Sequence, residues 1–558
     1  MSIALAAAFA ACGAWGFEID TGNADLALRW DNTVRLNYAE RVERRDDKIG
    51  NSAIADEGTY SFDRGDSVAQ RVDLLSEFDL VYRKRYGLRV SAAGWYDGAY
   101  GDSSKSNPNL PFAAIPSYVG QRYSDTTRRL YQGASGEFLD AFVFGGVDLG
   151  NVPVQAKLGR HTVYWGESLL LGGNLHSVAY AQNPLDLQKG FATPGVEAKE
   201  LFRPLNQVSL QAQVTDTLSI TAQYLLEWEP FRYPEGGTYL GPVDFAFNGP
   251  DRQFIPSPVA PPGFFASRGA AAKPEQRGEY GVAARWSPEW LDGTMGFYYR
   301  DFADKLPQTF ITQGPPIGAP RYNLIYADGI KLYGISLGKN IAGISVGAEI
   351  STRRDTPLNS QVLGVAVGLP ERGETKGPRG DTWHALVNGL GVINETPLFD
   401  TATWAAELVW SRWSDVKSGA NLFNAVGYAP CNANGTSRLR NWDKWDGCAT
   451  KSYVGLGLAF TPTWFQVLPG VDLSMPLTYA RGLHGNAATI FGGNEANGNY
   501  SIGLAADVHQ KYRFDLKYID YLGRYRENAA GTAVATQNGF TTLLKDRGFV
   551  SLTFKTTF

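Results

Sequence analysis

Long apolar runs are missing from this sequence. No stretch of about 18 consecutive apolar residues, the length a membrane-spanning helix needs, occurs anywhere in it. A protein that crosses a bilayer by helices is thereby excluded, and a mean hydropathy of −0.24 agrees. Methionine is scarce, with 3 residues, and no long amphipathic helical pattern appears. That argues against the several soluble domains that 558 residues would otherwise suggest. A net charge of −4 lacks the basic excess that a nucleic-acid partner requires. Cysteines number 3, and two of them, Cys431 and Cys448, bracket a polar stretch rich in Asn, Gly and Trp. An even pair around a loop reads as a disulfide in an oxidising compartment, whereas two thiols without a nearby His make no zinc site. Neither a metal nor a cofactor is expected.

Basic residues are also absent before Arg29. Ile3 to Ala11 is nevertheless a short apolar core, and Ala14-Trp15-Gly16 offers small residues where a signal peptidase reads. Residues 1–16 are therefore predicted to be a secretory signal whose basic leader starts upstream, and 17–558 the exported protein.

Alternation is what the sequence has in abundance. Leu26, Leu28, Trp30, Val34, Leu36 and Tyr38 share one face of a strand, against Arg29, Asp31, Thr33, Arg35 and Asn37. Val208 to Val214 and Leu218 to Trp228 read as a hairpin turning at Asp216-Thr217, and Ile502 to Val508 pairs in the same way with Tyr512 to Tyr518. Such segments number about 18. Their connections alternate, short near 84, 150, 216, 290, 340, 396, 465 and 510 and long near 50, 115, 185, 250, 310, 365, 430, 490 and 535. Aromatics fall at the ends of the apolar faces, where an amphipathic ring suits a water–lipid boundary; Tyr38, Tyr82, Tyr96 and Trp228 are examples. A sheet in hydrocarbon must close on itself to pair its amides. The predicted fold is an all-β, closed antiparallel transmembrane barrel with short periplasmic turns and long extracellular loops. Phe558, Phe554 and Leu552 on the last alternating strand resemble the signal read by the barrel-insertion machinery.

A barrel this wide cannot be filled by strand side chains alone. The connection from Trp165 to Asn206 is the candidate filling, because apolar residues alternate there with carboxylates instead of the usual loop residues. Residues 166–204 are predicted to fold inward as a constriction or plug. Trp165, Leu169, Leu170 and Phe191 would supply apolar contacts. Glu167, Asp186, Glu197 and Glu200 would shape the passage. Gly166, Ser168, Asn183, Pro194, Gly195, Lys199 and Glu227 complete the candidate set.

These residues carry a resemblance. Gly159-Arg160 through Trp165-Gly166-Glu167-Ser168, then Asn183 to Asp186, Pro194 to Glu200 and Glu227 to Pro230, resemble motifs of the proteobacterial outer-membrane family known as domain of unknown function 1302. Against that family's tighter spacing, Ser177 to Gln182 reads as a variable linker. The resemblance implies a barrel in outer-membrane lipid that serves transport of hydrophobic compounds. It also implies a periplasmic partner and an inner-membrane transporter of the resistance-nodulation type.

Three functions follow as expectations. The leading one is an outer-membrane channel for small hydrophobic or amphipathic molecules. The second is a docking component that exchanges lipid with a periplasmic carrier. The third is a barrel-embedded hydrolase using His161 and Ser168, although no Ser–His–acid motif surrounds them. The first and second involve no catalysis, and the protein is read as a non-enzyme.

Overall fold

The alternating segments pair edge to edge and the last returns to the first. The computed structural model describes residues 17–110, 116–193, 196, 198–254, 265–314, 319–361, 364–365, 375, 377–433 and 440–558. The predicted signal, residues 1–16, lies outside them. The wall is a closed antiparallel barrel of 18 strands. The first six are β1 (Leu26–Arg41), β2 (Ser67–Tyr82), β3 (Tyr86–Asp97), β4 (Gly133–Leu149), β5 (Val152–His161) and β6 (Leu205–Gln213). Next come β7 (Leu218–Leu225), β8 (Tyr280–Trp286), β9 (Gly293–Phe302), β10 (Ile330–Ile341), β11 (Ile344–Pro357) and β12 (Arg379–Ile393). The wall finishes with β13 (Thr401–Ser418), β14 (Ser452–Leu468), β15 (Val471–Ser474 and Leu477–His484), β16 (Gly498–Val508), β17 (Tyr512–Leu522) and β18 (Phe549–Thr557). Met475-Pro476 interrupts β15.

Closure is made by β1 and β18, which pair from Thr33 opposite Thr557 to Arg41 opposite Phe549. Beyond them Phe558 and Asn32 exchange backbone hydrogen bonds of 2.8 and 2.9 Å. A short strand, Phe17–Ile19, then continues the same line along β1. No helix among the described residues is long and apolar enough to cross a membrane.

The period of two sorts the side chains. Leu36, Leu74, Ile350 and Leu516 point outward and are each 44–50% exposed, a belt of apolar surface that water would not tolerate but lipid would. Arg35, Asp73, Glu77 and Glu407 point inward and are buried. Connections alternate short and long as the spacing predicts, with the turn read near 465 falling at Pro469-Gly470. Two details differ from the alternation alone. Trp228 lies beyond β7, buried against Tyr326 at 4.9 Å rather than in the outer belt. Arg83, which the alternation of Asp73, Glu77 and Asp79 would place on the inner face, sits in the β2–β3 turn beside Asp25.

Wall height is uneven. Strands β5 to β8 have 10, 9, 8 and 7 residues, against 17 in β4 and 18 in β13. At the long-loop end the connections themselves form a five-stranded sheet, drawn from Arg252–Phe254, Phe265–Arg268, Gln308–Gly314, Ala319–Ile325 and Gly364–Val365. Cys431 and Cys448 are bonded to each other within another long connection.

Candidate functional site: the loop inside the barrel

Beyond His161 the chain leaves the wall and runs through the lumen before rejoining it at Leu205. Its first half is fastened to the far wall. Glu349 on β11 accepts the backbone N–H of Glu167 and, at 2.9 Å, that of Val178. Glu407 on β13 accepts from Leu169 at 2.7 Å and Leu170 at 3.2 Å. Each carboxylate thus takes up two amides that a loop in a lumen would otherwise leave to water. The approach is close enough to require glycine. Gly166 has φ +88°, and a Cβ there or at Gly173 would collide with the Glu349 or Glu407 carboxylate respectively.

Cations serve the loop's carbonyls. Arg300 on β9 donates to Val178 O at 3.1 Å and Tyr180 O at 2.6 Å. Arg353 on β11 donates to Leu175 O and Ser177 O, with its guanidinium 3.9 Å from the Tyr180 ring centroid. Asn388 on β12 donates to Glu167 O at 2.6 Å, and Ser336 on β10 to the Glu167 carboxylate at 3.3 Å. Trp165 packs against Tyr298 and is almost fully buried. Ser168 sits beside them, its hydroxyl donating to Leu170 O at 3.3 Å. Leu169 and Leu170 are half-buried. The stretch Ser177 to Gln182, read from sequence as a linker, is instead among the most buried parts of the loop.

The second half returns to the near wall. Asn183 clasps Val163 through its amide, donating to the carbonyl at 2.6 Å. Asp186 caps the short helix Leu187–Ala192 by accepting from Lys189 N, and its other oxygen pairs with Arg232 at 2.9 Å. Phe191 packs between two buried aromatic clusters. Glu200 is held by both guanidinium nitrogens of Arg35 on β1, at 2.9 and 3.1 Å. Lys199 meets Glu77 on β2 at 2.5 Å, and Glu227, just past β7, meets Arg160 at 3.2 Å. Asp186 and Glu200, expected from sequence to shape the passage, anchor the loop to Arg232 and Arg35. Pro194, Gly195 and Glu197 lie outside the described residues.

The anchors Glu349, Arg300, Arg353 and Asn388 were not singled out from sequence. Their one sequence signal is a polar side chain in the inward phase of an otherwise alternating strand. His161 and Ser168 are not brought together: the His161 Nε2 contacts Ser209 at 2.8 Å and its Nδ1 the Gly159 carbonyl, with no carboxylate partner among the described residues.

Toward the long-loop end, the β1–β2 and β7–β8 connections meet over three buried carboxyls. Asp56 accepts from Asn107 N at 2.8 Å, Glu57 from the Ser117 hydroxyl at 2.6 Å, and Asp244 from Gly58 N at 3.4 Å. Burial first, and the neighbouring Asp244 charge second, push Asp56 up to about 8 and raise Glu57 well above the usual range. Burial likewise pushes Asp244 up to about 6.

A family model described as "Protein of unknown function (DUF1302)" matches residues 1–558. No curated protein matches the chain. Among solved structures, OccAB4 of Acinetobacter baumannii is 9% identical, with 95% of this chain and 98% of that one covered, at a TM-score of 0.38. The outer membrane channel DcaP of Acinetobacter baumannii is 10% identical over 97% and 99%, TM-score 0.38. OccK2 (OpdF) of Pseudomonas aeruginosa, solved in complex with glucuronate, is 9% identical over 95% and 97%, TM-score 0.37. These likenesses are loose, and the fold stands on the strand pairing described above.

Proposed function

This chain belongs to the DUF1302 family of proteins of unknown function, and from its geometry we propose that it is a passive outer-membrane channel for small hydrophobic or amphipathic molecules. The observation that carries this reading is the loop from 162 to 204. It crosses the interior of a closed barrel and is hydrogen-bonded to opposite walls, through Glu349 and Glu407 on one side and Arg35 on the other. A belt of apolar side chains outside and charged groups inside suits a bilayer around the wall and water within. The outer lipopolysaccharide leaflet slows apolar solutes, and a narrowed aqueous barrel would bypass it while excluding larger ones. The separation of His161 from Ser168 favours passage over catalysis. A periplasmic carrier and a resistance-nodulation transporter would take cargo at the short-turn rim.

Permeation into proteoliposomes is the test. Small aromatic and aliphatic solutes should enter protein-containing vesicles faster than empty ones, and equal rates would end the proposal.

A further inference from the structure

The wall is incomplete where the inward loop leaves it. Strand β4 starts at Gly133, but β5 pairs with it only from Ala141, opposite Arg160, to Leu149, opposite Val152. From Gly133 to Asp140 the edge of β4 turned away from β3 meets no strand among the described residues. The short strands β5 to β8 leave the wall low on the same side. An unpaired strand edge beside a bilayer is costly unless protein, water or a polar headgroup occupies it.

A cavity of ≈ 700 Å³ fills this gap. Its walls include two neighbours on β4 that point to opposite faces. Glu137 lies on the lumen side, salt-bridged to Arg232 at 2.7 Å. Phe138 stands opposite Ala92 in the outward phase and is 69% exposed. A cavity lined by neighbours of opposite phase on one strand lies at that strand's free edge, between its outer and lumen faces. Inward it reaches Tyr233 and Phe247, whose rings stack at 4.9 Å.

The lining is unequal in charge. Six cations, Arg129, Arg160, Arg203, Arg232, Arg268 and Lys273, face three carboxylates. Glu137 is taken by Arg232, and Glu229 lies 3.7 Å from Arg203. Burial pushes Glu235 up to about 7. Arg129 and Lys273 are exposed and form no salt bridge among the described residues. Aromatic rings, Phe138, Phe231 and Tyr326, share the same walls.

We propose that this gap is a side portal for single-tailed amphiphiles with an anionic head, which move between the outer leaflet and the lumen. The head meets Arg129 and Lys273, while the tail lies along Phe138, Phe231 and Tyr326. The onward passage of such molecules rests on the channel reading; their binding at the gap does not.

The test uses the full-length protein in lipid nanodiscs with a laurate carrying a photoreactive diazirine in its tail, and the matching uncharged alcohol. The acid should label peptides containing Phe138 or Phe231, and the alcohol should label them more weakly. The double variant Arg129→Glu, Lys273→Glu should cut acid labelling about tenfold, since like charges now face the head. Heat-modifiable gel migration shows that the variant is folded, and the native protein alone already gives the acid-to-alcohol ratio. Equal labelling by acid and alcohol, or labelling spread evenly around the outer belt, overturns the portal. Laurate flux into proteoliposomes separates the two proposals. Labelling at the gap without flux above empty vesicles sinks the channel and keeps amphiphile binding at the gap, and flux without labelling there sinks the portal and keeps the channel.

Discussion

Replacing both loop-anchoring carboxylates with their amides, Glu349→Gln and Glu407→Gln, should release the loop from the far wall. Glu407 presents one oxygen to each of two backbone amides, at 2.7 and 3.2 Å, so a glutamine must turn an N–H toward one of them. Losing a buried charge-assisted hydrogen bond costs about 2 kcal/mol, which is roughly 30-fold in the docking equilibrium. Glu349 makes the same kind of contact with Glu167 N and Val178 N. The two sites grip one loop and will couple, so the double variant should fall between roughly 30-fold and 1,000-fold. Single-channel recording in a planar bilayer reads this directly. The wild type should hold a small conductance, and the double variant should visit a second, larger level far more often. Removing two charges without moving the loop would shift ion selectivity at a single level, so the two effects are separable. A folded double variant with one unchanged conductance level would refute the view that residues 162–204 narrow the passage.

The carboxyls at Asp56, Glu57 and Asp244 should make the outer connections sensitive to alkali. Raised acid pKa values favour the packed state at low pH, and that contribution is lost as pH rises from about 4 through about 8. Protection factors across 47–60 and 235–249, which remove the intrinsic base catalysis of amide exchange, should therefore be larger at pH 5 than at pH 9, and Asp56→Asn should flatten the difference. Reducing the Cys431–Cys448 bond, which spans a sequence separation of 17, should destabilise its own connection by about 3 kcal/mol. Proteolysis should rise there, with the barrel's heat-modifiable migration unchanged. Arg35→Ala would remove the two hydrogen bonds, at 2.9 and 3.1 Å, that hold the buried Glu200 carboxylate to β1. Breaking a buried pair costs about 3 kcal/mol or more, so exchange over residues 199–204 should rise well before global unfolding.

Much of the wall was legible because a strand between lipid and water must alternate, and the alternation is local. The strand count and the short–long rhythm of connections follow from that alone. The hairpin ending at Trp228 shows the limit: alternation ran three residues past Leu225, since a packed loop can mimic a strand face. The inward loop was visible through its apolar content, but the importance of Ser177 to Gln182 was not. That stretch is buried because Arg300, Glu349 and Arg353 reach it from strands more than a hundred residues away, and nothing in its own composition records them. The partners of Asp186 and Glu200, Arg232 and Arg35, were hidden for a related reason, since nothing beside either carboxylate in the sequence records them. The low wall at β5 to β8 was equally hidden, because strand ends depend on where the chain chooses to turn inward.

The seam between β1 and β18 sets the order of assembly. Thr33 and Thr557 meet across more than five hundred intervening residues, about as non-local as a contact in this chain can be. Until that seam forms, a curled but open sheet carries two raw edges that hydrocarbon rejects and neighbouring chains could invade. Loop-closure entropy falls hardest on such long-range pairing, so sealing should come late and slowly. The nascent chain would then depend on outside custody for most of its journey.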